Sequence, residues 1–466
     1  MLKRSIAACV AAGMVSACSF APVYHAPETA IPASFKEAGP WRTAAPADRI
    51  VRDGWWKMYK DPVLDELEAR VDQANPDVAA AVARHDEAEG FVQQARAGLF
   101  PTIGSEASVS RQRQSDNRPL RGSGEPSVYD SASADVGIGY DLDLWGKVRN
   151  EVKAGRANAQ ASADDLQSLR LSLQASLADH YFQLRGLDER TKLLQDTIVT
   201  YQHALALTES RHAGGIASGM DVSRARTQLS SAQAAVDDTA ASRALLEHAI
   251  ATLTGTPASS FSLAAATPDY VVPQIPVGVP SQLLQRRPDI AAAERRVAAA
   301  NANIGVAKAA FFPDVTLGLD GGYQSDTFSP WLAAPDEIWS IGPQLMFTLF
   351  DGGRRRAAVA VARAKLAENG AKYRETVLAA FQQVEDELAL LHHLGDASRN
   401  EDEALASAQS TLALAMSRYR DGAVSYLNVV TAQTTALHAQ ISSLDLRTRR
   451  LTASVGLIQA LGGGWS

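Results

Sequence analysis

Cysteine is almost missing from this 466-residue chain: Cys9 and Cys18 are the only two, both near the start, so the body has no disulfide framework and no thiolate metal site. Aromatics make up 6% of the residues, and no uncharged apolar run long enough to cross a bilayer as a helix occurs beyond the first residues, which excludes a helical membrane protein. Long basic runs are absent too. With 45 Lys and Arg against 52 Asp and Glu, and a net charge of -7, the chain is not built for nucleic acid. What it has is 46% hydrophobic residues, enough for a folded body and too many for disorder.

The first residues read as an export signal: Lys3 and Arg4, an apolar stretch from Ser5 to Met14, then Val15-Ser16-Ala17-Cys18. Those last four resemble a bacterial lipobox, which would make Cys18 the lipidated first residue of the mature protein. The plainer alternative is a signal peptide cut at small residues, with Cys18 incidental. Ser19 in the next position is compatible with sorting to the outer membrane, and loss of Lys3 and Arg4 makes the mature chain more acidic.

Beyond the signal the chain repeats itself. Asn75-Pro76-Asp77-Val78 matches Arg287-Pro288-Asp289-Ile290, and Leu99-Phe100-Pro101 matches Phe311-Phe312-Pro313, both at an offset of 212. Gly215-Ile216-Ala217-Ser218 with Asp221-Val222 matches Gly422-Ala423-Val424-Ser425 with Asn428-Val429 at 207, and Leu253-Thr254-Gly255 matches Leu461-Gly462-Gly463 at 208. Ordered matches with so small a drift imply duplication. The expected layout is a signal peptide over 1–17, an extended segment over 18–62, a first repeat over 63–257 with a hairpin at about 102–146, a linker over 258–285, a second repeat over 286–463 with a hairpin at about 313–351, and a tail over 464–466.

Within each repeat the hydrophobic period switches. Residues 150–212 and 354–419 lack proline and are rich in Ala, Leu, Gln, Glu and Arg, so they predict helices of roughly 90 Å. Val377, Phe381, Val384, Leu388 and Leu391, and likewise Val222, Ala225, Leu229, Ala232 and Val236, follow a heptad seam. The many alanines suit helices packed on both sides into a sheath; a simple two-stranded coiled coil is the alternative. Period two replaces the helical pattern at Ile103 to Val109, Val136 to Leu144, Val315 to Leu319 and Ile341 to Leu349, predicting strands with one apolar face. The connecting loops, about 112–134 and 325–338, carry Pro119, Pro126, Pro330 and Pro335.

Strands of this length with an apolar face fit a transmembrane barrel, yet four cannot close one, since single-chain barrels need about eight or more. An open sheet would present unpaired backbone to lipid. Three copies would supply twelve strands, whereas two would supply eight and fill the interior. A soluble sandwich face is the competing reading, disfavoured by the export signal.

Several motifs together are specific: the lipobox cysteine, Trp55-Trp56-Lys57 with Asp61-Pro62, the stretch from Val279 to Ile290 containing Arg286-Arg287-Pro288-Asp289, both Phe-Pro steps, Leu349-Phe350-Asp351-Gly352-Gly353, and Tyr419 with Gly422. Over nearly the whole mature chain they resemble the TolC-type outer-membrane efflux channels, especially the NodT-like lipoprotein branch serving resistance-nodulation-division pumps. The resemblance implies a mixed α/β membrane protein: a homotrimer whose duplicated units of long antiparallel helices plus a hairpin form a 12-stranded transmembrane β-barrel continued by a periplasmic α-helical barrel. It implies an outer-membrane, lipid-anchored location with a large periplasmic part. Its partners would be outer-membrane lipid, a periplasmic adaptor (membrane fusion protein) and a proton-driven inner-membrane pump.

Enzyme chemistry finds no support. The nine histidines lack His-Glu-x-x-His spacing, and the adjacent His392 and His393 are expected on different sides of a helix, so no metal and no cofactor is implied. No phosphate-cradling glycine loop is present, and Glu385-Asp386-Glu387 reads as a solvated helix face rather than paired catalytic acids. Asp141-x-Asp143 could suggest calcium, but lumen-facing acids explain it better, together with Glu106 and Asp320, and would favour cations in the pore. The chain is expected to be a passive efflux duct for drugs or other small molecules. The alternative is a conduit of the same fold serving an ATP-driven protein exporter, and the class of pump encoded nearby would discriminate.

The helix turns at Gly214, Gly215, Ser218 and Gly219 and at Gly422 and Ser425 are expected to be the periplasmic tips where an adaptor docks. By resemblance, Asp221 and Tyr419 would latch neighbouring helices shut. The chain departs from better-known members at Asn428 and Thr431, where carboxylates ring the constriction, and at Val424, where an arginine latch residue stands. Ser218 followed by Asp221 also reads as a capping box, with Ser425 and Asn428 a weaker echo; cap and latch remain open alternatives that one residue could serve together.

Overall fold

The computed structural model describes residues 19–28, 30–37, 54–117, 124, 126–275, 278, 280–281, 286–326 and 332–463. The signal peptide, Cys18, the C-terminal tail, Pro119, Pro330 and parts of the N-terminal and linker segments lie outside these residues. Two compact units are formed: one from residues up to 28, 84–163 and 292–373, the other from 29–83, 164–291 and 374 onward.

After a 3-10 turn at Trp55–Tyr59 come α1 (Pro62–Ala74), α2 (Pro76–Ala97), β1 (Thr102–Arg113), β2 (Val128–Asp141), α3 (Lys147–Ala213) and α4 (Gly219–Leu253). The order then recurs with α5 (Pro288–Ala309), β3 (Asp314–Ser325), β4 (Glu337–Met346), α6 (Arg354–Arg420) and α7 (Tyr426–Ala460). Helices α3 and α6 are 67 residues each, and α4 and α7 are 35 each. No described helix is long and apolar enough to cross a membrane.

Local chemistry sets the boundaries. Proline opens α2 and α5, where its missing N–H would go unpaired in any case. Asn75 caps α2 by accepting the Asp77 and Val78 amides. Both Phe-Pro steps make the same tight turn, Phe100 N–H to Ala97 and Phe312 N–H to Ala309, before a proline releases the chain into a strand.

The second unit's core joins Leu177 and Leu184 of α3, Ile250 of α4, Val384 and Leu388 of α6, and Leu457 and Ile458 of α7. Trp55, Trp56 and Tyr59, with Leu64, Leu67 and Val71 of α1, cover it. Each large side chain buried here contributes about 1.5–3 kcal/mol. The heptad seam on α6 is buried at Val377, Val384, Leu388 and Leu391, and on α4 at Ala225 and Ala232.

In the first unit the four strands form one antiparallel sheet in the order β1-β2-β3-β4. Pro343 lies in the edge strand β4, the place where a missing donor is tolerated. The strands differ from the sequence expectation at both ends. Pairing runs further into the loops, through Arg113 and from Val128, because runs such as Ser131-Ala132-Ser133-Ala134 have no apolar alternation to betray them yet form full ladders. At the other end β2 stops at Asp141 and β4 at Met346, so Leu142, Leu144, Phe347 and Leu349 lie beyond the strands. Asp143 at φ 41 turns the chain out of β2, and β4 loses its partner where Pro313 precedes β3.

Candidate functional site: a two-faced sheet, an N-terminal strap and two helix turns

Strand register sorts the side chains. Glu106 lies opposite Asp135, and Asp320 lies opposite Gly137 and Ser340. Asp141 shares this face, paired with Thr316, and the rest of it is mainly Ser, Gly, Thr and Gln. Its charged residues are all acidic. Asp320 receives the Ser340 hydroxyl at 3.2 Å. Asp135 was missed from sequence, although extending the Gly137, Gly139 alternation back by one step finds it.

The opposite face is apolar and uncovered: Ile103 is 71% exposed, Val109 67%, Ile341 64% and Trp339 73%. Val136, Leu317, Leu319 and Leu345 extend the patch. Its ion pair, Arg111 with Asp130 at 3.7 Å, lies toward the hairpin loop.

Asp143 does not belong with the acids of the polar face. Past the end of β2, its carboxylate accepts the Val148 amide at 2.9 Å and the Arg149 amide at 3.0 Å, and it pairs with the Arg149 guanidinium at 3.0 Å. It is the start signal of α3, where the unpaired amides of a first turn favour an anion. Asp351 does the same for α6, bonding the Gly353 and Arg355 amides and the Arg355 side chain at 2.6 Å. The Arg355 guanidinium holds the Asp351 carboxyl below its ordinary range.

Beside this junction runs an N-terminal strap. Phe20 stacks on Phe312 at 4.4 Å, and Phe312 stacks on Trp145 at 4.8 Å, while the Trp145 indole donates to the Pro313 carbonyl. Ser19 donates to Asn150, Asn301 donates to the Pro22 carbonyl, and the Tyr24 hydroxyl donates to Glu294. Residue 19, next to Cys18, is thus fixed where strand gives way to helix.

In the second unit both helix turns share one backbone. Gly215 has φ 74 and Gly422 φ 76, the left-handed conformation that ends a helix most cheaply at glycine. Six-residue closures follow, Ile216 N–H to Arg211 and Ala423 N–H to Arg418. The side chains then differ. Ser218 and Asp221 form the full capping box, with Asp221 also 3.5 Å from Arg224. Ser425 occupies the equivalent position with no side-chain cap bond.

Around these turns Gly214, Gly215, Ser218 and Gly219 are exposed, as are Gly422 and Ser425, and Ile216 and Met220 present bare apolar surface. Tyr419 instead is buried against Tyr426, 5.3 Å between rings, with the Arg211 guanidinium 4.5 Å above it. Its hydroxyl has no hydrogen-bond partner among the described residues. Burial, with Tyr419 and Tyr201 nearby, pushes Tyr426 up to about 12. Tyr426 is the member of this cluster that sequence reasoning missed; an apolar-face position beside a turn was its available signal. Asn428 and Thr431 lie exposed on one face of α7.

Two further expectations need correction. His392 and His393 do not diverge: their rings meet edge to face at 5.1 Å, because exposed side chains one residue apart can swing toward each other. Nor is Glu385-Asp386-Glu387 wholly solvated. Glu385 accepts the Lys36 and Glu37 amides at 2.7 and 2.9 Å, and Glu387 is half-buried against Gly456, with burial and its neighbours Asp386 and Asp179 raising it to about 7.

The outer membrane efflux protein family model matches residues 69–256 and 279–463. The chain is 32% identical to the antibiotic efflux pump outer membrane protein ArpC of Pseudomonas putida, covering 100% of this chain and 96% of that one. It is 34% identical to the pyoverdine export outer membrane protein OpmQ of the same species, covering 91% and 90%. The solved outer-membrane channel OprN superposes with a TM-score of 0.88 at 28% identity, covering 96% of this chain and 100% of that one. Relatives named for efflux do not favour the protein-secretion alternative, and family and fold are those of channels rather than enzymes. The chain belongs to the outer membrane efflux protein family, and it is the outer-membrane exit duct of a tripartite efflux system, with a periplasmic part.

Proposed function

We propose that three copies close a twelve-stranded barrel through which drugs or other small molecules leave passively, with energy supplied by a proton-driven inner-membrane pump through a periplasmic adaptor. The observation that carries this reading is the sheet: four strands, one bare apolar face, one face whose charges are all acidic, and two edges, β1 and β4, with no partner strand among the described residues. Such edges cost several kcal/mol per unpaired group in lipid and nothing once neighbouring copies pair with them. The acidic face then lines the lumen, with Glu106, Asp135, Asp141 and Asp320 from each copy favouring cations.

The strap supports lipidation of Cys18, since it fixes the adjacent residue beside the strand ends, within an acyl chain's reach of the bilayer. The duplicated order of elements supports two repeats either side of the linker. The exposed turns at Gly214 to Gly219 and Gly422 to Ser425 suit adaptor docking, with Asp221, Tyr419, Asn428 and Thr431 at the gate. Native mass measurement in detergent tests the assembly: three chains are expected, and one or two chains would end the barrel reading. Reversal potentials that favour chloride would overturn the lumen assignment alone, and failure of labelled fatty acid to incorporate would overturn the anchor.

A further inference from the structure

Helices α3 and α6 have equal length and begin 207 residues apart, so each position on one has a counterpart on the other. Arg185 corresponds to His392, Gly186 to His393 and Glu189 to Asp396. On α3 this stretch is covered: Arg185 donates to the Ala264 carbonyl of the linker, and Asp188 accepts the Ala266 amide. On α6 the corresponding face is open: His392 and His393 are exposed there, and Asp396 is half-buried beside them.

We propose that these three side chains bind a divalent transition-metal ion of the zinc, nickel or copper class. Asp396 is four residues from His392 and three from His393, the two spacings that bring helix side chains together. The His392 Nε2 to Asp396 Oδ2 distance is 3.9 Å, and one ligand atom from each residue lies within 4.8 Å of the others. Bonds of about 2.0–2.2 Å around a tetrahedral ion put ligand atoms about 3.4 Å apart, a small side-chain movement away. Buried Leu391 and Leu394 hold the helix underneath, so the movement falls on the side chains alone.

Two imidazoles and one carboxylate select borderline ions over calcium or magnesium, which prefer all-oxygen sites. Arg399 now pairs with Asp396, but a surface pair of this kind is weak and yields to a metal. Three ligands leave at least one coordination position for water or for a donor from another surface.

The test uses the full mature protein in detergent, stripped with chelator and free of any affinity tag, titrated with Zn²⁺ by calorimetry and with Co²⁺ by its visible absorption. One ion per chain is expected, unaffected by millimolar Mg²⁺ or Ca²⁺. The double substitution H392N/H393N, and separately D396N, should each weaken that binding at least tenfold. H438N, at an exposed histidine elsewhere on α7, should leave it unchanged. Thermal melting of the variants in chelator, equal to the parent, separates a lost site from a damaged fold. Absence of saturable binding in the parent, or binding that survives both substitutions, overturns the proposal.

Discussion

Around Arg185 on α3 and around His392 on α6 the chain places two versions of the same helical position in opposite circumstances. The first is a buried charge network: Arg185 bonds Asp188 at 2.9 Å, Arg243 of α4 reaches Asp188 at 2.6 Å and Glu247 at 2.8 Å, and Arg243 donates to the Leu263 carbonyl. The second has Gly395 in place of Asp188 and faces open space. The difference teaches that helix length and turn geometry are kept in both halves while side chains follow whatever lies on top. The linker passes over α3, and there the charges are paired and stitched; a Cβ at Gly395 would meet nothing within 4 Å, and there the Asp188 carboxylate has no counterpart.

The sharpest way to break that comparison is at its centre. Asp188→Ala leaves Arg185 and Arg243 without their shared carboxylate at a site where the Arg185 and Asp188 side chains are only 4% and 2% exposed. Loss of one partner from such a buried network costs about 3–5 kcal/mol, so a steep fall in melting temperature is expected. Gly395→Ala should act in the other direction. A Cβ there meets nothing within 4 Å, and replacing a mid-helix glycine with alanine gains about 0.5–1 kcal/mol. Equal small effects at both positions would show that the linker stitches are not structural.

A second contrast lies along α6 itself, between Glu385, whose charge is used by the Lys36 and Glu37 amides, and Glu387, whose charge is opposed. Burial and the neighbours Asp386 and Asp179 raise Glu387 from 4.5 to about 7. The folded state therefore prefers the protonated carboxyl, and the stability this gives is fully present below pH 4.5 and lost as pH rises through about 7. Glu387→Gln, close in shape, should flatten the fall between those values and melt higher than the parent at pH 8. The side chain is only half-buried, so after solvent screening the gain is on the order of 1–2 kcal/mol. Parallel melting curves from pH 5 to 8 would remove Glu387 as the cause.

How much of this was legible in the sequence depends on whether local pattern or tertiary contact decides. The long helices were readable from proline-free stretches, the strand faces from period two, and the turns from Gly215 and Gly422, because each signal is carried by consecutive residues. Asp143 was misread because a strand acid and a helix cap differ only in where the strand stops, which depends on a partner strand from the other half. The ladder through Ser131 to Ala134 was hidden for the same reason: small residues pair through backbone bonds and leave no hydrophobic trace. The Asp188 network could not be read at all, since its partners come from the linker and from α4, 55 residues further on in the case of Arg243.

The smallest effects belong to the two turns, where an equal backbone carries unequal side chains. Ser218 accepts the Asp221 amide at 3.2 Å, and Asp221 returns a bond to the Ser218 amide at 3.3 Å, so Ser218→Ala should cost about 1 kcal/mol of local helix stability. Ser425→Ala should cost almost nothing, because no side-chain cap bond exists to lose. Amide hydrogen exchange at the first turns of α4 and α7 reads both, and equal protection losses would mean the box is not what holds the first turn. A cap alone leaves conduction untouched. Asp221 is already engaged by Ser218 and Arg224, whereas the Tyr419 hydroxyl is buried with no partner among the described residues. If the proposed gate holds, combining Asp221→Ala with Tyr419→Phe is expected to raise single-channel conductance in bilayers at unchanged yield of assembled protein. If the conductance stays at the parental value while hydrogen exchange at α4 speeds up, Asp221 is a cap and nothing more, and the two turns differ in stability but not in gating.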